Sequence, residues 1–141
     1  MPAAGYASPW IRRFHRVSDS GDTSRVHLVC FPHAGGPATY YTPMSTNLAA
    51  LAPFVDVVAL QYPGRQDRLA EPPVADLADL ADLVTAELLP LAAGPLPLAL
   101  FGHSMGAELA FETARRLERA GAAPAALLVS GRRPPSRHRP Q

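Results

Sequence analysis

The chain has 141 residues, 48% of them hydrophobic, with 12 acidic against 13 basic side chains and a formal net charge of +1. That length fits one domain able to bury roughly two thirds of its unfolded surface, which excludes wholesale disorder. The balanced charge gives no general reason for nucleic acid or an anionic membrane as partner, the apolar stretches break short of the ~18 residues of a membrane span, and the lone Cys30 excludes a disulfide framework or a cysteine-rich zinc site.

At the N-terminus, Met1 to Ser8 has no basic stretch leading into an apolar one, so a cytoplasmic protein is expected, with residues 1–9 flexible. Trp10 to Val17 reads as extended and Ser18 to Ser24 as a turn, pairing the first segment as a hairpin with a buried strand over Arg25 to Phe31. A helix over Tyr40 to Leu51 and a second buried strand over Val55 to Leu60 follow, and Gln61 to Pro73, punctuated by Pro and Gly, is loop. Val74, Leu77, Leu80, Ala81, Val84 and Leu88 form the apolar stripe of an amphipathic helix ending before Pro90, with Asp76, Asp79 and Asp82 on its solvated face. Pro97 to Phe101 is a strand, Ser104 to Ala120 a helix closed by Gly121, and Ala125 to Ser130 a last strand. Residues 10–131 are thus the domain, and residues 132–141 a basic, disordered tail carrying Arg132, Arg133, Arg137 and Arg139. The repeated strand, helix, strand order predicts an α/β fold: a mainly parallel sheet with right-handed crossovers and helices on both faces.

Phe101-Gly102-His103-Ser104-Met105-Gly106 contains a GxSxG pattern. Alone it is weak, the alternative being a plain glycine-rich turn with an N-cap serine. Here a strand precedes it and a helix follows, as a nucleophile elbow requires to lift the serine Oγ above the sheet's C-terminal edge. Gly102 and Gly106 fit positions where a side chain would collide with the neighbouring strand and helix. An oxyanion hole needs two N–H donors: Met105, after the nucleophile, and one from a loop at an earlier strand end. Phe31-Pro32-His33-Ala34-Gly35-Gly36 lies in the right place, with the Ala34 N–H as candidate donor, though the segment also makes sense as a plain turn.

Taken together, FPHAGG at Phe31 to Gly36, YPGRQDR at Tyr62 to Arg68 followed by Glu71-Pro72, GHSMGA at Gly102 to Ala107 and SGRRPP at Ser130 to Pro135 resemble the type II, or editing, thioesterases of polyketide and nonribosomal peptide synthases. The resemblance runs from about Trp10 onward and implies an α/β-hydrolase-like fold. It also implies Ser104 as nucleophile, Ala34 and Met105 as oxyanion donors, and hydrolysis of acyl thioesters from the phosphopantetheine arm of carrier proteins. No cofactor of its own and no metal are implied. The partners would be acyl or peptidyl carrier protein domains of a synthase. The all-Arg basic set reads as the codon bias of a GC-rich genome and fits a producer of such metabolites.

In α/β-hydrolases the acid and then the base follow the serine in the chain. After Ser104 the acids are Glu108, Glu112 and Glu118, all inside one expected helix, and the only histidine is His138 in the tail. The expectation is therefore the N-terminal portion of a thioesterase, truncated before the lid and C-terminal strands, with triad acid and base not present. Its last strand would then expose an apolar edge open to self-association. A non-catalytic acyl- or carrier-binding fragment and another α/β-hydrolase esterase are the competing readings. Of the other histidines, His15 and His27 are placed on strands, His103 points away from the nucleophile, and whether His33 reaches Ser104 stays open. Cys30 is read as core, Glu112 with Arg116 as a helix-supporting pair, and Arg65 and Arg68 as structural anchors of the YPGR loop rather than carrier contacts.

Overall fold

The computed structural model of the protein describes residues 8–15, 24–33, 36–64, 68, 71 and 76–131. Five strands are present among them: β1 (Ile11–Arg12), β2 (Val26–Phe31), β3 (Val55–Leu60), β4 (Leu98–His103) and β5 (Ala126–Ser130). Between these run a short 3-10 helix (Ala38–Tyr41) leading into α1 (Thr42–Leu51), then α2 (Leu77–Ala92) and α3 (Met105–Arg119). The strands form one sheet in the order β1-β3-β2-β4-β5, with β2 through β5 parallel and β1 antiparallel to β3.

Strand alternation divides the apolar residues between two faces. Val29, Phe31, Val58, Leu60, Leu98 and Leu100 meet the stripes of α2 (Leu80, Ala81, Val84, Leu88) and α3 (Leu109, Ala110, Leu117). Cys30, Val57 and Ala59 turn the other way, toward Tyr41, Met44 and Leu48 of the α1 layer. Each fully buried Leu or Val contributes about 1.5–3 kcal/mol, so these two layers hold the sheet between them. Asp76 caps α2, its carboxylate accepting from the N–H groups of Ala78 (2.7 Å) and Asp79 (3.3 Å). Gly121, at φ 78°, closes α3 as its position after the helix requires.

The expected α/β sheet covered on both faces is present, and β3 spans the expected residues. Four expectations are corrected. The first strand is only Ile11–Arg12, and it pairs with β3 rather than as a hairpin with β2. Both edges of β2 are occupied by the parallel neighbours β3 and β4, so β3 offers the free edge. The second helix does not stop before Pro90 but runs through it to Ala92. Proline so near the helix end removes one backbone donor, and the Ala93 N–H, bonding to the Leu89 and Leu91 carbonyls, closes the last turn beyond it. His15 lies in a bend instead of a strand, with its Nδ1 2.8 Å from Ser45 Oγ. Ser8, placed by the sequence in a flexible stretch, is buried and donates to Glu87 (2.8 Å). The Ser18 to Ser24 turn up to residue 23, and the 132–141 tail with His138, lie outside the described residues.

Among the described residues β5 pairs only with β4, and Leu128 (49% exposed) and Val129 (37% exposed) stand on that edge. No helix among them is long and apolar enough to cross a membrane.

Candidate active site

The parallel strands all deliver their C-terminal ends to one edge of the sheet. Phe31 and Gly102 are partners across β2 and β4, so the segment after Phe31 and the turn after His103 leave that edge side by side. Ser104 occupies this turn with φ 58° and ψ −124°, the one non-glycine residue of positive φ among those described. Such a conformation costs on the order of 1–3 kcal/mol and persists only where the surroundings over-determine it. Here they do: the Ser104 N–H continues the β4–β5 ladder to the Ser130 carbonyl (2.9 Å), while its carbonyl accepts from the Ala107 N–H (3.0 Å), the first turn of α3.

The two motif glycines sit where this turn leaves no room. A Cβ on Gly102 would meet the Gly106 carbonyl and come within 2.7 Å of the Ala107 Cα. One on Gly106 would strike the Phe31 carbonyl oxygen and lie 2.9 Å from the Pro32 oxygen. The β4–α3 turn is therefore wedged directly against the exit of β2. Met105 begins α3, and its N–H, like any at a helix start, has no intrahelical partner.

Ala34 and Gly35 lie outside the described residues, but the chain on either side is fixed. The Gly36 N–H donates to the His33 carbonyl at 2.8 Å. Tyr41 Oη donates to the Phe31 carbonyl (2.7 Å), and Tyr62 Oη donates to the Pro32 carbonyl (2.8 Å). Both tyrosines are buried, and burial pushes both phenols well above their ordinary range, so they remain O–H donors. The side-chain carbonyl of buried Gln61 accepts from the Ala38 N–H (2.7 Å), holding the next turn of chain.

The histidines near the elbow are engaged elsewhere. His103 turns aside from Ser104, stacking on Tyr40 with ring centroids 6.3 Å apart, and its Nδ1 lies 3.4 Å from Ser130 Oγ. It borders an apolar cleft of about 400 Å³ on the α1 side of the sheet, formed with Tyr40, Tyr41, Pro43, Met44 and Phe101. His33 meets the edge of Tyr40 at 5.9 Å. Neither hydrogen-bonds the Ser104 hydroxyl among the described residues, and of the acids in α3, Glu112 is occupied by Arg115 and Arg116. Asp82, exposed on α2, reaches across to Arg116 at 2.7 Å.

Arg68 takes a structural place, and Arg65 lies outside the described residues. The Arg68 guanidinium is buried 4.5 Å over the Trp10 ring, donates to the Gln61 carbonyl (2.9 Å) and pairs with Glu71 (2.7 Å). Cys30 is fully buried against Met44, and burial pushes its thiol up to about 12. At the opposite end of the sheet, buried Asp56 receives a two-toothed bond from Arg13 (2.9 Å) and one from His27 Nδ1 (2.7 Å). Sequence reading missed this cluster and the two tyrosine clamps, because their partners lie 10 to 43 residues apart. Among the described residues no group of three or more His, Cys, Asp or Glu converges as a metal site.

A parallel sheet with a strained serine turn between strand and helix at its C-terminal edge defines the α/β-hydrolase class of fold. Within that class the chain belongs to the thioesterase family, residues 26–141 matching the model of the Thioesterase domain. The chain is 56% identical over 130 residues to a probable cadicidin biosynthesis thioesterase of Streptomyces griseus, covering 92% of this chain and 34% of that protein. It is 51% identical over 128 residues to Thioesterase PikA5 of Streptomyces venezuelae, covering 90% of this chain and 43% of that one. Among solved structures, the type II thioesterase BorB from the borrelidin biosynthetic cluster superposes with a TM-score of 0.78 at 51% identity, covering 95% of this chain and 51% of BorB. The chain therefore spans between a third and about half of these relatives' length.

Proposed function

We propose that the protein hydrolyses acyl thioesters carried on the phosphopantetheine arm of carrier proteins, clearing misprimed units from polyketide or nonribosomal peptide synthases, with Ser104 as nucleophile. The observation that carries this reading is the strained backbone of Ser104, held between β4 and α3 beside the exit of β2. Family membership and the names of the relatives support the substrate class.

In the reaction, Ser104 Oγ attacks the thioester carbonyl, and the oxygen of the tetrahedral intermediate takes the charge. The Met105 N–H and the Ala34 N–H receive it, and the positive end of α3 adds to the same field. Collapse breaks the carbon–sulfur bond and releases the phosphopantetheine thiol, which takes up the proton removed from Ser104. Water then cleaves the Ser104 ester, dividing one barrier into two. The protein holds no cofactor in this scheme; the pantetheine arm arrives with the carrier. Among the described residues no histidine hydrogen-bonds the Ser104 hydroxyl, and the scheme names no residue of this chain as the base that removes its proton or the acid that orients that base. The apolar β5 edge supports self-association as a further property, checked by whether elution on size-exclusion chromatography shifts with concentration.

The deciding experiment uses the protein expressed from its gene, beside Ser104→Ala, against an acyl-carrier protein followed by mass spectrometry and against a simple aryl ester. Release of the acyl group that disappears in Ser104→Ala is expected. Ester cleavage with no preference for the carrier would favour a general esterase. Carrier binding with no release by either form would favour a non-catalytic module, and release that survives in Ser104→Ala would remove the serine from the mechanism.

A further inference from the structure

Two buried tyrosines beside the candidate site each donate a hydroxyl hydrogen bond to a backbone carbonyl at the exit of β2. Tyr41, at the end of the 3-10 helix, donates to the Phe31 carbonyl at 2.7 Å. That carbonyl belongs to the last residue of β2, whose partner across the sheet is Gly102, two residues before Ser104. Pro32 follows Phe31 and has no N–H of its own, so a side chain must supply the connection that the backbone cannot. Tyr62, beyond β3, donates to the Pro32 carbonyl at 2.8 Å. A carbonyl fixed in space fixes the plane of its peptide, so this bond also sets the direction of the His33 N–H. The same two oxygens lie close to Gly106, where an added Cβ would strike the Phe31 oxygen and come within 2.9 Å of the Pro32 oxygen.

Resting on the thioesterase reading above, we infer that Tyr41 and Tyr62 are positioning residues that set the spacing between the oxyanion loop and the Ser104 elbow. Their hydroxyls hold the Phe31 and Pro32 peptides at the exit of β2, beside Gly106 of the elbow. An oxyanion hole works because its donors are in place before the charge develops, so a small shift of one donor weakens transition-state binding and leaves ground-state binding intact.

The test compares Tyr41→Phe and Tyr62→Phe with wild type and Ser104→Ala, all expressed from the gene. Kinetics on an acyl-carrier protein are run well below each variant's melting temperature. A displacement of a fraction of an ångström should lower kcat by about 10- to 100-fold while KM stays within about twofold. Affinity for a trifluoromethyl ketone thioester mimic, which adds to Ser104 as a tetrahedral adduct, should fall by the same factor. Affinity for the unreactive thioether mimic should not change. Asp76→Ala, which uncaps α2 away from the site, serves as a destabilised control with unchanged kcat. Tyrosine variants that keep kcat within twofold, or that raise KM alone, overturn the inference while the serine dependence stands. Release that persists in Ser104→Ala overturns the thioesterase reading itself, whatever the tyrosines do. If one variant fails to fold, the other decides, since each hydroxyl holds a different carbonyl of the same loop.

Discussion

Gly106→Ala tests whether the elbow is wedged against β2 as tightly as the coordinates require. The added Cβ would meet the Phe31 carbonyl oxygen, with the Phe31 carbon and the Pro32 oxygen both at 2.9 Å. Ordinary carbon contacts begin near ~3.5 Å, and all three atoms are backbone, so no rotamer change relieves the overlap. Either α3 retreats from the sheet or the β2 exit moves. Overpacking of this kind costs about 1–3 kcal/mol or somewhat more. Moving the β2 exit would also break the Tyr41 and Tyr62 hydrogen bonds, each worth about 1 kcal/mol. The total is about 3 kcal/mol or more, which corresponds to a melting temperature lower by roughly 10 °C. Gly121→Ala is the matched comparison: its Cβ would find nothing within 4 Å, so only the backbone strain at φ 78° is charged, about 1–2 kcal/mol. Differential scanning calorimetry of both variants measures the contrast. A Gly106→Ala melting temperature equal to that of Gly121→Ala would refute the wedge, and with it the packing account of the second motif glycine.

Three further outcomes follow from other parts of the fold. Thr113 in α3 is fully buried and its hydroxyl has no hydrogen-bond partner among the described residues, so Thr113→Val, nearly identical in shape, should raise stability by about 1 kcal/mol in urea titration; a loss would mean the hydroxyl is satisfied. Burial raises the Asp56 carboxyl, but the hydrogen bonds and charges of His27 and Arg13 outweigh it and hold the group at about 2, against 3.8 in the unfolded chain. The native state therefore binds fewer protons, and a contribution of about 2 kcal/mol is complete above pH 4 and lost as pH falls toward 2; Asp56→Asn should flatten that part of the stability curve. Arg68→Lys keeps the charge but loses the two-pronged bond to Glu71, the reach to the Gln61 carbonyl and the stacking on Trp10, and should lower stability by about 2 kcal/mol in thermal melts, with no change expected if Arg68 were only a surface cation.

What could be read from the sequence was whatever the chain encodes over short distances. Val55–Leu60 is apolar but for Asp56, a short run that must be buried wherever it lies, so its limits were readable without knowledge of its neighbours. The elbow was readable for the same reason: Gly102, Ser104 and Gly106 are two residues apart, and a strand before and a helix after constrain them locally. The partner of β1 was not, because pairing depends on which strand edge remains free after the rest of the sheet has formed. Pro90 misled as a stop signal, since its cost at the end of a helix is one donor, and burial of Leu88 with partial burial of Leu89 and Leu91 outweighs it.

The tyrosine clamps show the limit most clearly. A tyrosine in an apolar context reads as core, and Tyr41 and Tyr62 are indeed core by burial. Their function in the site comes from one oxygen each, aimed at carbonyls 10 and 30 residues away. Nothing in a local pattern distinguishes such a phenol from that of a core tyrosine whose hydroxyl reaches solvent. One indirect signal was present: Pro32, at the mouth of an expected oxyanion loop, cannot extend the β ladder, so the peptides around it need side-chain support from elsewhere in the fold. The motif residues specify a strained turn and a close approach, and the long-range hydroxyls determine whether that approach is held at a working distance. A search of the sequence for catalytic side chains alone finds the first and passes over the second.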